Sequence, residues 1–458
     1  MGPHVAWIIL GLVIGGALAL AGLFRPFLGV LILIAIHFIQ PGEFIPALNA
    51  ISVERTYGIA LLAVFLVRRL ATPGRPLFSN RVFLASLLLV GAAALSIPFA
   101  VWRSGAVLQT IELIKNVILL VLIGALVDTN ARMEKALWIM VGLLAWFAGS
   151  ALVAYAHGQI SFQEGLVRAE GFNSMAGGPN ELAGLILALL PFLIALLRSS
   201  QSFLLRLFLL ACGGVSLAAL VLTGARAGMI GLAIMGTYYV LRSRHKVVWV
   251  LVCVSLACII WMAMPQAYRD RYLTVKQYAS GERLDPSNEL RLRIWKAGWR
   301  MFLDHPILGV GAGQFQTAYG TTYVGRQHVA WMNPHNLLLQ VVCELGIVGL
   351  GVFIYFLVQI VGQIRHLPVR LSNPLVELNY QVASACGAML IALIAVSLVS
   401  HTLYRPYWYF LAGFAAANNS NAWACTEGEA ATEANSPVTA GLTPEEVAVG
   451  ERPALPRF

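Results

Sequence analysis

Thirteen runs of almost uninterrupted apolar residues dominate this sequence. They fall at about 5–23, 27–46, 57–67, 83–100, 106–127, 136–156, 180–198, 203–222, 227–241, 247–264, 337–362, 380–400 and 405–418. Most are close to the length at which an α-helix crosses a bilayer's hydrocarbon core. In lipid the backbone must satisfy its own hydrogen bonds, which leaves helices or a closed barrel. The runs are continuous and do not alternate, so they predict helices. Only 11% of the 458 residues are charged, against about 25% in a soluble domain. The expected fold is all-α and polytopic, with about 12 transmembrane helices, or 13 if every run crosses. Pro41-Gly42-Glu43 and Pro46 interrupt the early part, and the last run is short. The first run has no positively charged start and reads as a retained span.

Basic clusters then set the orientation. Arg68, Arg69, Arg75 and Arg81 mark one cytoplasmic loop; Arg132 with Lys135, Arg198 with Arg206, Arg242 through Lys246, and Arg365 through Arg370 mark the others. The remaining loops must face outward: around Trp102-Arg103, 157–179, 223–226, 265–335 and 401–405. The domain reading follows: a first bundle over 1–264, a large polar loop over 265–335, the last spans over 336–418, and a disordered, Glu-rich tail over 419–458. The net charge of +10 belongs to these loops and does not imply nucleic-acid binding. The six cysteines lie in apolar runs or the tail, so neither a disulfide framework nor a metal cluster is expected.

Outward loops are usually poor in arginine, yet Arg226 sits in the tight outward turn Thr223-Gly224-Ala225-Arg226. The large loop adds Arg269, Arg271, Arg283, Arg291, Arg293, Lys296, Arg300 and Arg326 on the same face. His335 closes that loop where the polar stretch Trp331-Met332-Asn333-Pro334 meets an apolar helix. An imidazole at such a boundary can titrate near neutral pH and reach a substrate at the lipid surface; the bland alternative is that it only begins a helix. Guanidinium groups bind phosphate oxygens bidentately. Arg226, Arg291 and Arg293 with a nearby histidine therefore suit a substrate carrying a diphosphate, while a polybasic contact to anionic lipid headgroups is the simpler reading.

Other features have mainly structural readings. Residues 288–302 form an amphipathic pattern with Leu292, Trp295, Trp299 and Phe302 at helical spacing, expected to lie aromatic side down in the membrane interface. The glycine-rich Gly309-Val310-Gly311-Ala312-Gly313 could approach a phosphate, but a packing turn explains it as well. Glu112 and Lys115 share one helical face and read as a neutralising pair. Glu181 either complements a helix N-terminus or lines the outward cavity. Glu344 reads as a buried glutamate bonded to a neighbouring helix. His401, Tyr404 and Arg405 cap the last outward hairpin, lining an entrance or forming an aromatic belt.

The order of these pieces resembles the O-antigen ligase and polymerase superfamily of bacterial membrane glycosyltransferases. Leu222-Thr223-Gly224-Ala225-Arg226-Ala227-Gly228 resembles the family's Thr-Gly-Ser-Arg-Gly turn, with Ala225 where serine is common. Arg291-Leu292-Arg293-Ile294-Trp295 and His305-Pro306-Ile307-Leu308-Gly309-Val310-Gly311 are similar to its loop motifs. Pro334-His335-Asn336 with Glu344-Leu345-Gly346 and Gly349 is similar to its last signature. The resemblance implies a GT-C-like helical fold and an inverting, metal-independent transfer with no cofactor. It implies an undecaprenyl-diphosphate-linked glycan as donor and lipid A–core as acceptor, on the periplasmic face of a bacterial inner membrane among its lipids. His335 would be the general base, and Arg226, Arg291 and Arg293 would hold the diphosphate. Asn336, Glu344, His401 and Arg405 are further candidates.

Relatives with other acceptors keep a polymerase, or a protein or exopolysaccharide ligase, in view. A transporter would need broken helices in two related halves with ionisable groups at mid-membrane. The sequence offers one Glu112–Lys115 pair and no internal repeat.

Overall fold

A computed structural model describes residues 3–71, 80–159, 161–163, 166–270, 286–323, 331–365 and 374–434. Helices α1 (Pro3–Phe24) and α2 (Pro26–Ile39) are separated at the Arg25-Pro26 step, where proline opens the second helix. The interruption expected at Pro41 and Pro46 is real. The chain makes a short 3₁₀ turn, Pro41–Glu43, and a five-residue helix, α3 (Pro46–Ala50), before α4 (Val53–Ala71). Then follow α5 (Arg81–Ser96), α6 (Arg103–Leu126), α7 (Asn130–Ala156), α8 (Pro179–Ser199), α9 (Phe203–Leu222), α10 (Arg226–Arg242) and α11 (Lys246–Ala263). The polar loop contributes α12 (Pro286–Asp304) and the single turn α13 (Phe315–Ala318). Helices α14 (Leu337–Arg365), α15 (Pro374–Ser397) and α16 (Tyr407–Ala434) close the chain.

Seven helices among the described residues are long and apolar enough to cross a membrane, and three shorter apolar helices accompany them. The mostly helical prediction holds. One departure from the all-α expectation is a small antiparallel hairpin, β1 (Ser161–Gln163) with β2 (Leu166–Arg168), in the 157–179 loop.

Helix α8 is the centre of the bundle. Every residue from Leu182 to Leu193 is buried, because α7, α9, α10 and α15 surround it. That all-round apolar character is what a helix needs when no face meets water. On its other side α16 fills the space against α6 with Trp408, Tyr409, Phe410 and Phe414, all buried.

The tail boundary needs correction. Disorder was expected from 419, but α16 continues to Ala434. Asparagine amides at this boundary tie the helix to backbone carbonyls of other elements. Asn418 donates to the Asn379 carbonyl at 2.9 Å, Asn419 to Gln363 at 3.0 Å and Asn421 to Val127 at 3.1 Å. The rest of the expected tail, 435–458, lies outside the described residues, as do Arg271, Arg283 and Arg326 of the polar loop.

Candidate active site

The turn that carries Arg226 is held from three sides. Thr223 caps it: its hydroxyl donates to the Leu220 carbonyl at 2.6 Å and accepts from the Ala225 amide at 3.2 Å. Gly224 adopts a φ of 58°, and a Cβ there would meet the Tyr268 ring at 2.8 Å; glycine is the residue that permits this backbone at close range. The hairpin supplies the third support. Arg168, fully buried, donates from Nε to the Thr223 carbonyl at 2.6 Å and from Nη2 to Asn180 Oδ1 at 3.1 Å. The Tyr268 hydroxyl donates to the Val167 carbonyl and lies 3.3 Å from that of Leu222. Arg226 thus opens α10 as its first residue, at a fixed place.

The segment before His335 is anchored by α12. Trp295 donates from its indole N–H to the Pro334 carbonyl at 3.1 Å. Arg291 lies one turn earlier on the same helix face. His335 has a φ of 45°, a left-handed conformation that non-glycine residues seldom adopt and that concentrates at functional sites. Asn336 then caps α14: its Oδ1 accepts from the Leu339 amide at 2.9 Å, and its Nδ2 donates to the Leu398 carbonyl at 3.0 Å. Asn336 therefore fixes the start of α14 beside His335 and is not among the residues that line the cavity.

That cavity, about 200 Å³, is lined by Arg226, Arg291, His335 and His401 with Asn180, Glu181 and Ser400. The polar turn, the loop helix and the last hairpin, which the topology reading put on one face, meet here. The His335 and His401 rings stand edge-on with centroids 5.7 Å apart. Burial pushes the His401 imidazole down to about 4, and His335 and Arg405 push it the same way. His401 is consequently neutral at pH 7. Glu181 does both things open to it: it sits in the first turn of α8 and lines the cavity. Arg405 Nη2 lies 3.9 Å from it, while Nη1 donates to the Ser174 carbonyl at 3.1 Å. Arg405 braces the wall from behind.

Two expected residues sit elsewhere. Arg293 is exposed and absent from the cavity lining, because two residues turn a helix by about 200°. Glu344 is buried under the glycine-rich turn and accepts from the Gly313 amide at 3.0 Å. The turn's other amides are engaged too: Val310 with the Cys343 carbonyl, Gly311 with that of Glu344, and Ala312 with the Ser96 hydroxyl. These donors are spent on protein, so the turn packs and offers no phosphate cradle. Across from it Gly346, at a φ of 64°, kinks α14; a Cβ there would strike the Ile307 carbonyl oxygen at 2.2 Å.

Helix α12 packs on the protein by the face away from Leu292 and Trp299. Ile294, Gly298 and Met301 are buried, whereas Leu292 and Trp299 are exposed. Gly298 decides this. Its missing side chain admits Leu339 and Phe315 within about 3 Å of where a Cβ would be. Arg168 and Asn180 were not singled out by sequence reasoning. Arg168 carried a usable signal, being another arginine in an outward loop.

Residues 211–354 match the family model described as O-antigen ligase. That span holds Arg226, Arg291 and His335. A protein of Rickettsia conorii named "Putative polysaccharide ligase" is 24% identical over 196 residues, 40% of this chain and 43% of its own length. Its namesakes in Rickettsia typhi and Rickettsia prowazekii are 24% and 25% identical over 196 residues, 44% of each. The chain thus aligns with less than half the length of these relatives. Through this matched domain, and through the weaker likeness to these polysaccharide ligases, the chain is similar to the O-antigen ligase superfamily.

Proposed function

We propose that the protein is an O-antigen ligase, moving a glycan from undecaprenyl diphosphate to a hydroxyl of lipid A–core at the periplasmic face of the inner membrane. The observation that carries this reading is the convergence of Arg226, Arg291 and His335 on one cavity. The N-termini of α8 and α10 open onto the same space through Asn180, Glu181 and Arg226, and His335 stands just before Asn336, the cap of α14. Helix N-termini attract anions through their free N–H groups and dipoles. Two guanidiniums at such a place favour a diphosphate over a neutral group.

His335 takes the proton from the acceptor hydroxyl. The acceptor oxygen attacks the anomeric carbon, and the bond from that carbon to the phosphate oxygen breaks, with inversion. The electron pair departs on the diphosphate, where Arg226 and Arg291 stabilise the developing charge as preorganised donors. Neutral His401 stands edge-on to His335 and keeps a second positive charge away from the base.

The test is a transfer assay with purified protein, undecaprenyl-diphosphate-linked glycan and lipid A–core, with and without EDTA. Glycan on lipid A–core at an unchanged rate in EDTA supports a metal-independent ligase. Lengthening of the lipid-linked glycan assigns a polymerase. No transfer to either acceptor defeats the reading.

A further inference from the structure

A second polar cavity, about 270 Å³, opens beside the first between α2, α3, α4 and α6. Its floor is a charge cluster. Lys115 Nζ lies 2.5 Å from Glu112 Oε2 and 3.2 Å from Glu54 Oε2, Arg55 lies 3.9 Å from Glu112, and His37 Nδ1 contacts Glu54. Above the floor the lining is Gln40, Glu43, Asn49 and Ser52. Gln40 and Ser52 have φ of 51° and 46°; with His335 they are the non-glycine residues of positive φ among those described. Both stand where a helix ends, Gln40 as the left-handed cap of α2 and Ser52 just beyond α3, and the turns they make leave the hollow between them.

A chain of polar contacts through Ser174 and Arg405 connects the two cavities. The Ser174 amide donates to Glu43 Oε2 at 2.9 Å and its hydroxyl to Gln40 Oε1 at 2.8 Å, while its carbonyl accepts from Arg405. Arg405 in turn reaches Glu181 in the wall of the first cavity. One loop residue therefore links the rim of the hollow to the site of His335.

The charges select the occupant. Three lining carboxylates face two lining cations, and both cations are matched to carboxylates. A phosphate or uronate would find both lining cations already held by carboxylates. An uncharged sugar would meet carboxylates, amides and a hydroxyl, the groups that bind sugar hydroxyls. We propose that this hollow is a glycan subsite that holds an uncharged sugar residue while a neighbouring part of the same substrate reacts at His335. The inference rests on the function proposed above, and the sugar belongs either to the donor glycan or to the acceptor.

The experiment uses full-length protein in detergent and three probes. They are bare undecaprenyl diphosphate, undecaprenyl diphosphate bearing a neutral trisaccharide, and lipid A–core with neutral outer hexoses. Asn49→Trp fills the exposed mouth of the hollow, and Asn49→Ala removes only its amide. A donor-side sugar makes the wild type bind the glycosylated carrier about tenfold tighter than the bare one, the worth of one or two net hydrogen bonds. Asn49→Trp then erases that margin, Asn49→Ala reduces it, and both bind the bare carrier as the wild type does. An acceptor-side sugar leaves carrier binding alone and raises KM for lipid A–core in Asn49→Trp. Unchanged margin and unchanged KM in Asn49→Trp overturn the subsite while leaving the functional reading intact. Failure of the wild type to bind the bare carrier overturns both.

Discussion

Two polar hollows lie side by side at one end of this helical bundle, and they balance charge in opposite ways. The hollow around Lys115 answers each lining cation with a carboxylate at 2.5 to 3.9 Å. The hollow around His335 has Arg226 and Arg291 in its lining against one carboxylate, Glu181, which already faces Arg405. The first arrangement settles charge within the protein. The second gathers two guanidiniums and two imidazoles in a lining with a single carboxylate. Arginine in a membrane protein's outward turn is thus informative only once its surroundings are known.

The comparison predicts that the two sites fail differently. Lys115→Met leaves Glu54 and Glu112 uncompensated in a half-buried cluster and should lower stability by about 3 kcal/mol. Bare-carrier binding by the protein that remains folded should stay as in the wild type. Thermal unfolding in detergent reads the first effect and carrier titration the second. A variant as stable as the wild type would mean the cluster is not holding helices together.

Arg168→Met probes the support under Arg226. It strips hydrogen bonds from the Thr223 carbonyl and Asn180 Oδ1, worth about 2 kcal/mol where the groups remain buried. Both stability and carrier affinity should fall together. Loss of stability with unchanged affinity would show that the turn keeps its place without the clamp.

Arg226→Lys keeps the charge and removes the fork. Carrier affinity should drop about tenfold with stability unchanged, since a bidentate contact becomes a single one. Affinity equal to the wild type's would reduce Arg226 to a topological residue.

His401 gives the smallest effect near neutrality. Its imidazole is held down to about 4 from an ordinary 6.5, so the folded state resists the proton that the unfolded chain accepts. The stability that this represents is present above 6.5 and drains away as pH falls towards 4. His401→Phe should flatten that part of the stability–pH curve while matching the wild type at pH 7.5. An equally steep decline in the variant would assign the acid sensitivity to other groups.

Much of this was legible in the sequence, for identifiable reasons. Helices announce themselves by run length, and the basic loops placed Arg226, Arg291 and His335 on one face before any contact was known. Arg293 lies outside the cavity lining, and a pattern of charges does not reveal which side of α12 packs; Gly298 settles that by letting α14 approach. Asn419 and Asn421 were placed in a tail because their partners, the Gln363 and Val127 carbonyls near the C-terminal ends of α14 and α6, are far away in sequence. Arg168 escaped for the same reason, its partners Thr223 and Asn180 belonging to two other segments. Glu344 was read as a buried hydrogen-bonding residue and is one, although it serves the 309–313 turn.

The measurement that tests the central claim most directly separates binding from chemistry at His335. His335→Ala and wild type are compared for affinity towards undecaprenyl-diphosphate-linked glycan and for transfer to lipid A–core. Loss of a general base should cut transfer by about 10² to 10⁴ while carrier affinity stays within about threefold, the arginines being untouched. Transfer at the wild-type rate, or a loss of affinity that accounts for the whole loss of transfer, would contradict the assignment of His335 as the base.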